Sequence, residues 1–462
     1  MMPAAMLLPL ALSAPAAATE LDFRALRQPI DGFGTSLCWW AVGVGGWSNT
    51  TAFEEMMDLF FADPESHPQS LGLTQVRYNI GGSDAADPDA HDLRPGGFVQ
   101  TFEPRRGHFN WSADATQRRV LSAAKARGVR YVQAFANSPP YWMTVSGSVT
   151  GSKSGATDNL RAEMFTAFAD HLAAVAQHFR SAWNVTFDTV TPLNEPGTDW
   201  WKEGGNQEGC HFGREGSQSR IVGELGKALR ARSLPIGVSG PEENWVDDSV
   251  RAVEAYKPDD LASLDLITTH TYNGRPGQRQ KLSAFAAAHG KRLWASEYGD
   301  GDVSGVTLAK RITLDLNELN ASVWTLWQTA DLDNSLTTSS GWGLTAASFC
   351  GCTGGASCEC RPDNPKCDAL RDTWRPSWSH DPHAACEQWS SNSDWGALAH
   401  GHSLAQACAG GWAKTNCAKT CCEALSSSEA ASSEAGGGSY AIRKSFYTYK
   451  HFTAFIRPGS TI

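Results

Sequence analysis

Short apolar runs that read as strands alternate along most of this chain with longer stretches whose apolar positions recur at helical spacing. Phe33 to Trp40 is the first such run, and helical periodicity follows over Thr51 to Phe61. Leu73 to Tyr78 predicts a second strand, and Thr116 to Arg127 predicts a helix stopped by Gly128. Tyr131 to Ala136 is the third strand, with a long amphipathic helix over Asp158 to Phe179. Thr189 to Leu193 is the fourth, with its helix at Gln218 to Arg232. The second half repeats the scheme. Strands at Pro235 to Ser239, Leu264 to Thr269, Arg292 to Ala295 and Ser322 to Trp327 are interleaved with helices near Asp247 to Tyr256, Gln280 to His289 and Gly305 to Leu319. A last helix, Ser439 to Ile456, comes only after a long interruption.

Eight strand–helix pairs imply a parallel sheet, and eight such strands close into a (β/α)8 TIM barrel. An open doubly wound sheet would carry a Gly-rich phosphate turn after its first strand. Gly32-Phe33-Gly34 lies before or inside that strand, so the barrel is preferred. The expected organisation is a leader over residues 1–18, the barrel over 19–338, an insertion and linker over 339–438, and the last barrel helix over 439–462.

Ten of the 12 cysteines crowd between Cys350 and Cys422, ahead of a Ser/Ala/Gly-rich linker. Dense cysteine with little aliphatic content reads as a small disulfide-stapled module after strand eight. A zinc site is the alternative, on Cys350-x-Cys352 and Cys358-x-Cys360. The apolar run Met6 to Leu12 and the small residues Ala14 to Ala18 read as a secretory signal, although no basic residue precedes them. Sequons at Asn49, Asn110, Asn184 and Asn320 fit a secreted or lumenal protein. No segment is long and apolar enough to be a membrane-spanning helix. The net charge of −10 makes nucleic acid and anionic membranes poor partners. The 18 tryptophans serve equally as core or as flat platforms for sugar rings.

In such a barrel the C-terminal strand ends form the reactive face. Collected there are Arg77 and Asn79, Asn137, Asn194 and Glu195, His270 and Tyr272, Glu297 and Tyr298, and Trp327 and Gln328. Glu195 follows strand four and Glu297 follows strand seven, on opposite sides of an eight-stranded ring. Two carboxyls facing each other across one mouth are the equipment for cutting a glycosidic bond. A gap of about 5 Å suits double displacement with retention, and about 6.5–9.5 Å leaves room for a water and inversion. Each residue also has a plainer role open to it: a solvated loop position for either glutamate, a structural ion pair for Arg77, rim packing for Tyr272, core for one of Trp324 and Trp327. Trp200 and Trp201, in the loop after strand four, are further sugar platforms. No metal-ligand spacing surrounds His270, which reads as an orienting hydrogen-bond partner, and neither metal nor cofactor is expected.

These residues sit in longer motifs: Asp31 to Ala41, Val76 to Gly82, Ala136 to Met143, Asn194-Glu195-Pro196 and Phe455 to Gly459. Together and in this order they resemble glycoside hydrolase family 30, over about residues 22–345 and 440–462. Asn137, where the glucosylceramidase-like members carry Trp, and Gln207 to His211 are most similar to the endo-β-1,6-galactanases. The resemblance implies a secreted retaining endo-glycosidase acting on β-1,6-galactan. Glucosylceramidase, β-1,6-glucanase or xylanase activity is the alternative within the family, and an inactive glycan-binding protein the alternative outside it. It further implies Glu195 as proton donor and Glu297 as nucleophile, with Arg77, Asn194, Tyr272 and Trp327 lining the subsite of the cleaved sugar. Arg77 would favour an ionised Glu297. Two departures stand out. The family's β-sandwich side domain is not found before the chain stops at Ile462, with Leu21 to Ile30 left as its orphaned N-terminal strand. The cysteine-rich stretch loosely resembles an ShK toxin-like module. It reads as a passive insertion or as a binder of a partner or glycan, placed near the mouth.

Overall fold

The computed structural model describes residues 27–90, 92–333, 335–348 and 438–461. The leader and nearly all of the cysteine-rich stretch lie outside the described residues. Eight parallel strands close into a barrel in sequence order: β1 (Gly32–Ser36), β2 (Gln75–Asn79), β3 (Tyr131–Phe135), β4 (Thr189–Thr191), β5 (Gly237–Pro241), β6 (Leu266–His270), β7 (Arg292–Tyr298) and β8 (Val323–Leu326). The outer layer consists of α1 (Trp40–Gly45), α2 (Thr50–Phe61), α3 (Ala115–Ala126), α4 (Phe165–Ala182), α5 (Ser217–Ala231), α6 (Val246–Ala255), α7 (Pro258–Leu261), α8 (Gln278–Ala288) and α9 (Val306–Leu314).

Alternation along each strand divides the chemistry. Outward residues such as Phe33, Val76, Tyr78, Val132, Val190, Ile267, Leu293 and Trp324 join the helices in one continuous apolar core. Inward residues stack in levels. Tyr131, Leu266, Trp294 and Val323 pack as a separate apolar cluster. One residue pair further along the strands the lumen turns polar: Gln75 Oε1 accepts from Thr325 Oγ1 at 3.0 Å, and Gln133 Nε2 donates to Ser239 Oγ at 3.1 Å. Gly34 leaves room for this level, since a Cβ there would lie 1.8 Å from Gln75 Oε1. The next level holds Arg77, His270 and the carboxylates described below.

β7 breaks the alternation. Its register against β6 slips by one residue between Thr269 and His270, and against β8 between Ala295 and Tyr298. The extra residue is a bulge, and bulges re-aim side chains. Ser296 and Glu297, adjacent in sequence, both reach the lumen because of it: Ser296 Oγ donates to Glu242 and Glu297 accepts from Arg77.

Beyond β8, the strands β9 (Ala330–Leu332), β10 (Thr345–Ala347) and β11 (Tyr440–Ile442) form a second small sheet, followed by α10 (Lys444–Phe455). Buried Arg443 pins the sheet by donating to the carbonyls of Thr337, Gly343 and Thr345 and by pairing with Asp331. α10 covers the β1–β8 seam: Tyr449 donates to Gly34 O at 2.8 Å and packs edge-on to Phe33.

Several predicted bounds are corrected. The helix expected over Ser439 to Ile456 begins with β11, because Tyr440–Ile442 finds an unpaired edge on β10. Thr345–Ala347, expected inside the insertion, belongs to the same sheet. The first strand stops at Ser36, and Trp40 opens α1 with its indole donating to Ser36 O. The helix expected from Asp158 starts at Phe165, because Asp158 and Asn159 instead tie down the loops at Gly213 and Ser146. Strand seven runs on to Tyr298, through the bulge.

Replacing Arg443 by Met would remove the donor to three carbonyls and the cation paired with Asp331, which would keep only Gln328 and the Gly343 N–H. It should cost about 2–4 kcal/mol, read as a lower melting temperature, and Arg443→Lys should recover part of that loss.

Candidate active site

Arg77, on β2, is fully buried and lies at the centre of the upper lumen. Its Nη1 donates to Glu297 Oε2 at 2.6 Å. Its Nη2 donates to Asn194 Oδ1 at 2.8 Å and to Glu242 Oε2 at 3.2 Å. The Phe135 ring lies 3.6 Å from its Cζ and holds the guanidinium plane. Glu297 accepts a second bond from Tyr272 OH at 2.9 Å.

His270 ends β6 and is also fully buried. Its Nε2 stands 3.1 Å from Glu242 Oε2 and its Nδ1 3.1 Å from Glu195 Oε1, with Glu297 Oε1 at 3.4 Å. Both ring nitrogens face carboxylate oxygens, so both donate only when the ring is protonated. Burial alone would lower its pKa, but Glu297, Glu195 and Glu242 together raise it to about 9. Glu242 goes the other way: burial would raise it, yet Arg77 and His270 hold it at about 2. Gln133 and Ser296 add two further donors to that carboxylate.

Glu195 follows β4 on a backbone at φ +47°, a conformation uncommon for a residue with a side chain. Its N–H donates to Glu242 O at 2.7 Å, and Glu242 itself stands at φ +59°. The two left-handed residues hold each other, as strained backbone at a functional site requires. Asn244 donates to Glu195 Oε1, and the Trp201 indole donates to its carbonyl at 3.0 Å. Gly209 makes room for that indole, because a Cβ there would lie 2.1 Å from the Trp201 ring.

One ligand atom each of Glu195, His270 and Glu297 lies within 4.8 Å of the others. With Glu242 the cluster sets three carboxylates against two cations, Arg77 and protonated His270. Glu242, held low by Arg77 and His270, is the ionised member of the set. For Glu297, burial raises the pKa, His270 and Arg77 lower it without cancelling the burial, and Glu195 adds to the rise. Arg77 favours an ionised Glu297, as expected, against a burial effect of opposite sign. The cluster suits handling of one proton between Glu195 and Glu297. It does not suit metal ligation, because both His270 nitrogens act as donors and Arg77 stands among the oxygens.

Above the cluster opens a cavity of about 620 Å³. Asn137, Asn194, Glu195, Trp201, Tyr272, Glu297 and Trp327 line it. Arg77, Asn79 and His270 lie beneath that lining, fully buried, and reach it through their partners. Trp200 is 48% exposed and is not among the lining residues. Trp39 lines the cavity while Trp40 packs on Phe60 in the helix layer, and Trp327 lines it while Trp324 bonds Asp315 outside the barrel.

Sequence reasoning missed Glu242 and Asn244. Pro241 after Gly240 reads as the end of a strand, and the predicted fifth strand stops at Ser239. The signal was Pro241-Glu242-Glu243-Asn244, a polar cluster just past that strand, equivalent to Asn194-Glu195 after the fourth. Trp39, Arg94, Glu208, Asp331 and Trp342 also line the cavity and were not among the expected site residues.

The family model described as O-glycosyl hydrolase family 30 matches residues 18–254. The chain is 32% identical over 333 residues to an endo-beta-1,6-galactanase of Hypocrea rufa, covering 68% of this chain and 66% of that protein. It is 22% identical to an exo-beta-1,6-galactobiohydrolase of Bifidobacterium longum subsp. longum, covering 65% of this chain and 26% of that protein. Among solved structures, a conserved exported protein from Bacteroides fragilis superposes with a TM-score of 0.65 at 21% identity, over 95% of this chain and 81% of its own. An endo-beta1,6-glucanase superposes with a TM-score of 0.59 at 15% identity, over 96% and 79%. At these identities the two structures establish the shared fold.

His270 is raised above its ordinary value, so the stability it contributes is present below about pH 6.5 and lost as pH rises through about 9. Glu208 and Asp114, both raised to about 7, lower stability as pH rises toward that value. The comparison that isolates His270 is therefore made above pH 7: the melting temperature should fall between about pH 7 and 9 in the parent protein, and this fall should be absent in His270→Asn.

Proposed function

This chain belongs to O-glycosyl hydrolase family 30, and from that premise we propose that it is a retaining endo-glycosidase that cleaves β-1,6-linked galactan by double displacement. The observation that carries the reading is that Glu195 and Glu297 present oxygens within 4.8 Å of each other across one cavity. That spacing favours direct attack by a carboxylate, since an inverting pair stands about 6.5–9.5 Å apart.

In the first step Glu297 attacks the anomeric carbon while Glu195 gives its proton to the departing glycosidic oxygen. The proton is assigned to Glu195 because the Arg77 guanidinium, charged at any working pH, donates directly to Glu297 at 2.6 Å, whereas Glu195 has no arginine partner and accepts from Asn244 and His270. In the second step Glu195, now a carboxylate, takes a proton from water as the water attacks the same carbon, and Glu297 leaves as a carboxylate. Net charge in the cluster is zero before and after each step. Before attack, Glu242 and Glu297 balance Arg77 and His270. In the glycosyl-enzyme, Glu242 and Glu195 do so. A fully buried pair of cations can thus serve both halves of the cycle without recruiting a counter-ion. Asn194, held by Arg77, is placed to meet the 2-hydroxyl, a contact that strengthens in the transition state.

Galactan is proposed as the substrate because the Hypocrea rufa relative is an endo-beta-1,6-galactanase and the Bifidobacterium relative acts on the same linkage. Export is part of the proposal, supported by the apolar N-terminal run and the cysteine density.

A panel of defined β-linked oligosaccharides tests specificity: β-1,6-galactan should be cut internally, and cleavage of β-1,6-glucan in its place would overturn the sugar assignment. Glu297→Gln should abolish turnover while leaving binding largely intact. Glu195→Gln should slow cleavage of natural linkages by about 100- to 10,000-fold, but aryl galactosides with good leaving groups far less. Proton NMR of the first-formed product should report the β-anomer. With Glu297 raised by burial, the acid limb of kcat/KM should lie above the ordinary carboxylate range, because protonation there removes the nucleophile.

A further inference from the structure

One carboxylate on the cavity wall takes no part in the reaction just described. Glu208, in the loop between β4 and α5, is 2% exposed and lines the cavity together with Glu195, Glu297, Asn137 and Trp39. Its Oε1 is saturated by Gly82 N at 3.0 Å, Ser83 N at 3.1 Å and Ser83 Oγ at 2.7 Å. Its Oε2 accepts one bond, from Asn79 Nδ2 at 3.0 Å. Oε2 therefore takes a single donor against three at Oε1, and is the oxygen with room for another. No Lys, Arg or His pairs with Glu208 among the described residues, and burial pushes it up to about 7 against all four donors. A buried carboxylate without a counter-ion is costly unless a further donor reaches it.

Topology says which donor that is. Glu195, Asn244, Tyr272 and Glu297 follow or end β4, β5, β6 and β7, and they fix the anomeric carbon on their side of the mouth. Trp39 follows β1, Asn79 ends β2 and Asn137 follows β3, and Glu208 is hooked onto this opposite wall through Asn79, Gly82 and Ser83. A ring reaching across the cavity from that side has its far end at this wall. In a 1,6-linked chain, C1 and O6 of an internal unit are both in linkages, which leaves hydroxyls only at C2, C3 and C4. The 2-hydroxyl lies next to the anomeric carbon, toward Asn194. We propose that Glu208 Oε2 accepts a hydrogen bond from the 3- or 4-hydroxyl of the sugar being cleaved and thereby selects that sugar. The proposal rests on the galactanase reading and assigns its recognition to a residue outside the catalytic cluster.

The test is a cycle between Glu208→Gln and deoxygenated substrates. Aryl β-1,6-galactobiosides are prepared intact and with the 3- or the 4-hydroxyl of the aryl-linked sugar removed. Glu208→Gln should lose about 10- to 100-fold in kcat/KM on the intact substrate, the range of a charge-assisted hydrogen bond. One deoxy substrate should cost the parent enzyme a similar factor and should cost the variant no more. Ser83→Ala, which loosens the anchor of Glu208 while leaving its open oxygen, should keep that deoxy penalty. Losses that multiply on both deoxy substrates would reduce Glu208 to a loop clamp and overturn the proposal. If Glu208→Gln does not fold, the parent enzyme decides alone: less than about a twofold penalty on both deoxy substrates overturns it, since a charge-assisted contact is worth more than that. Failure of the parent enzyme on the intact galactobioside would instead count against the galactanase reading itself.

Discussion

Two buried cations among three buried carboxylates are the constraint around which the rest of this barrel is arranged. Charges with no access to water are tolerable only when paired and hydrogen-bonded. Arg77 and His270 meet that condition by dividing Glu195, Glu242 and Glu297 between them. Glu242 is the fixed anion of the set, held ionised by both cations and by Gln133 and Ser296. Glu195 and Glu297 are the two of the three that face the cavity. In the reading proposed above, Glu195 serves first as acid and then as base while Glu297 is the nucleophile. On that reading the same two buried cations serve both steps.

The scaffold supplies the geometry by local departures from regularity. A regular strand would turn Glu297 away from the lumen if Ser296 faced it, and the bulge in β7 lets both point inward. Glu195 and Glu242 both adopt left-handed backbone, and each is over-determined by the bond between them. The polar level beneath, built on Gln75, Gln133, Ser239 and Thr325, meets the acids through Gln133, which donates to Glu242. These departures gather at the C-terminal ends of the strands, while the apolar cluster of Leu266, Trp294 and Val323 keeps the regular alternation.

Around the cluster, loops of different origin share the work of enclosing a sugar. Trp201 is tied to the backbone of Glu195, so the same segment that carries an acid also carries an aromatic wall. Arg443 and Asp331 hold the small sheet against the rim, where Gln328, Asp331 and Trp342 line the cavity. Glu208 joins the loop after β4 to the end of β2 and closes the side opposite Glu195 and Glu297. The cavity wall is therefore assembled from both halves of the chain.

Much of this was legible in the residues alone. Period-two and period-3.6 patterns follow directly from backbone geometry, so the eight strand–helix pairs and the placing of Glu195 and Glu297 at strand ends could be read without coordinates. Arg77, Asn194, Tyr272 and Trp327 were legible for the same reason. Pattern could not supply what depends on a partner distant in sequence. Arg77 and Glu297 are 220 residues apart, and which strand supplies the second acid to Arg77 is decided only when the ring closes. Glu242 was hidden behind Gly240-Pro241, which reads as a strand end but lies within β5. Tyr440–Ile442 has helical surroundings in sequence, and only the free edge of β10 makes it a strand. The one-residue bulge in β7 has no signature in composition, because it answers to the register of both neighbours. The chain by itself determined which residues could carry the chemistry; the closed barrel decided their charge, since the protonation of a buried acid is a property of everything packed around it.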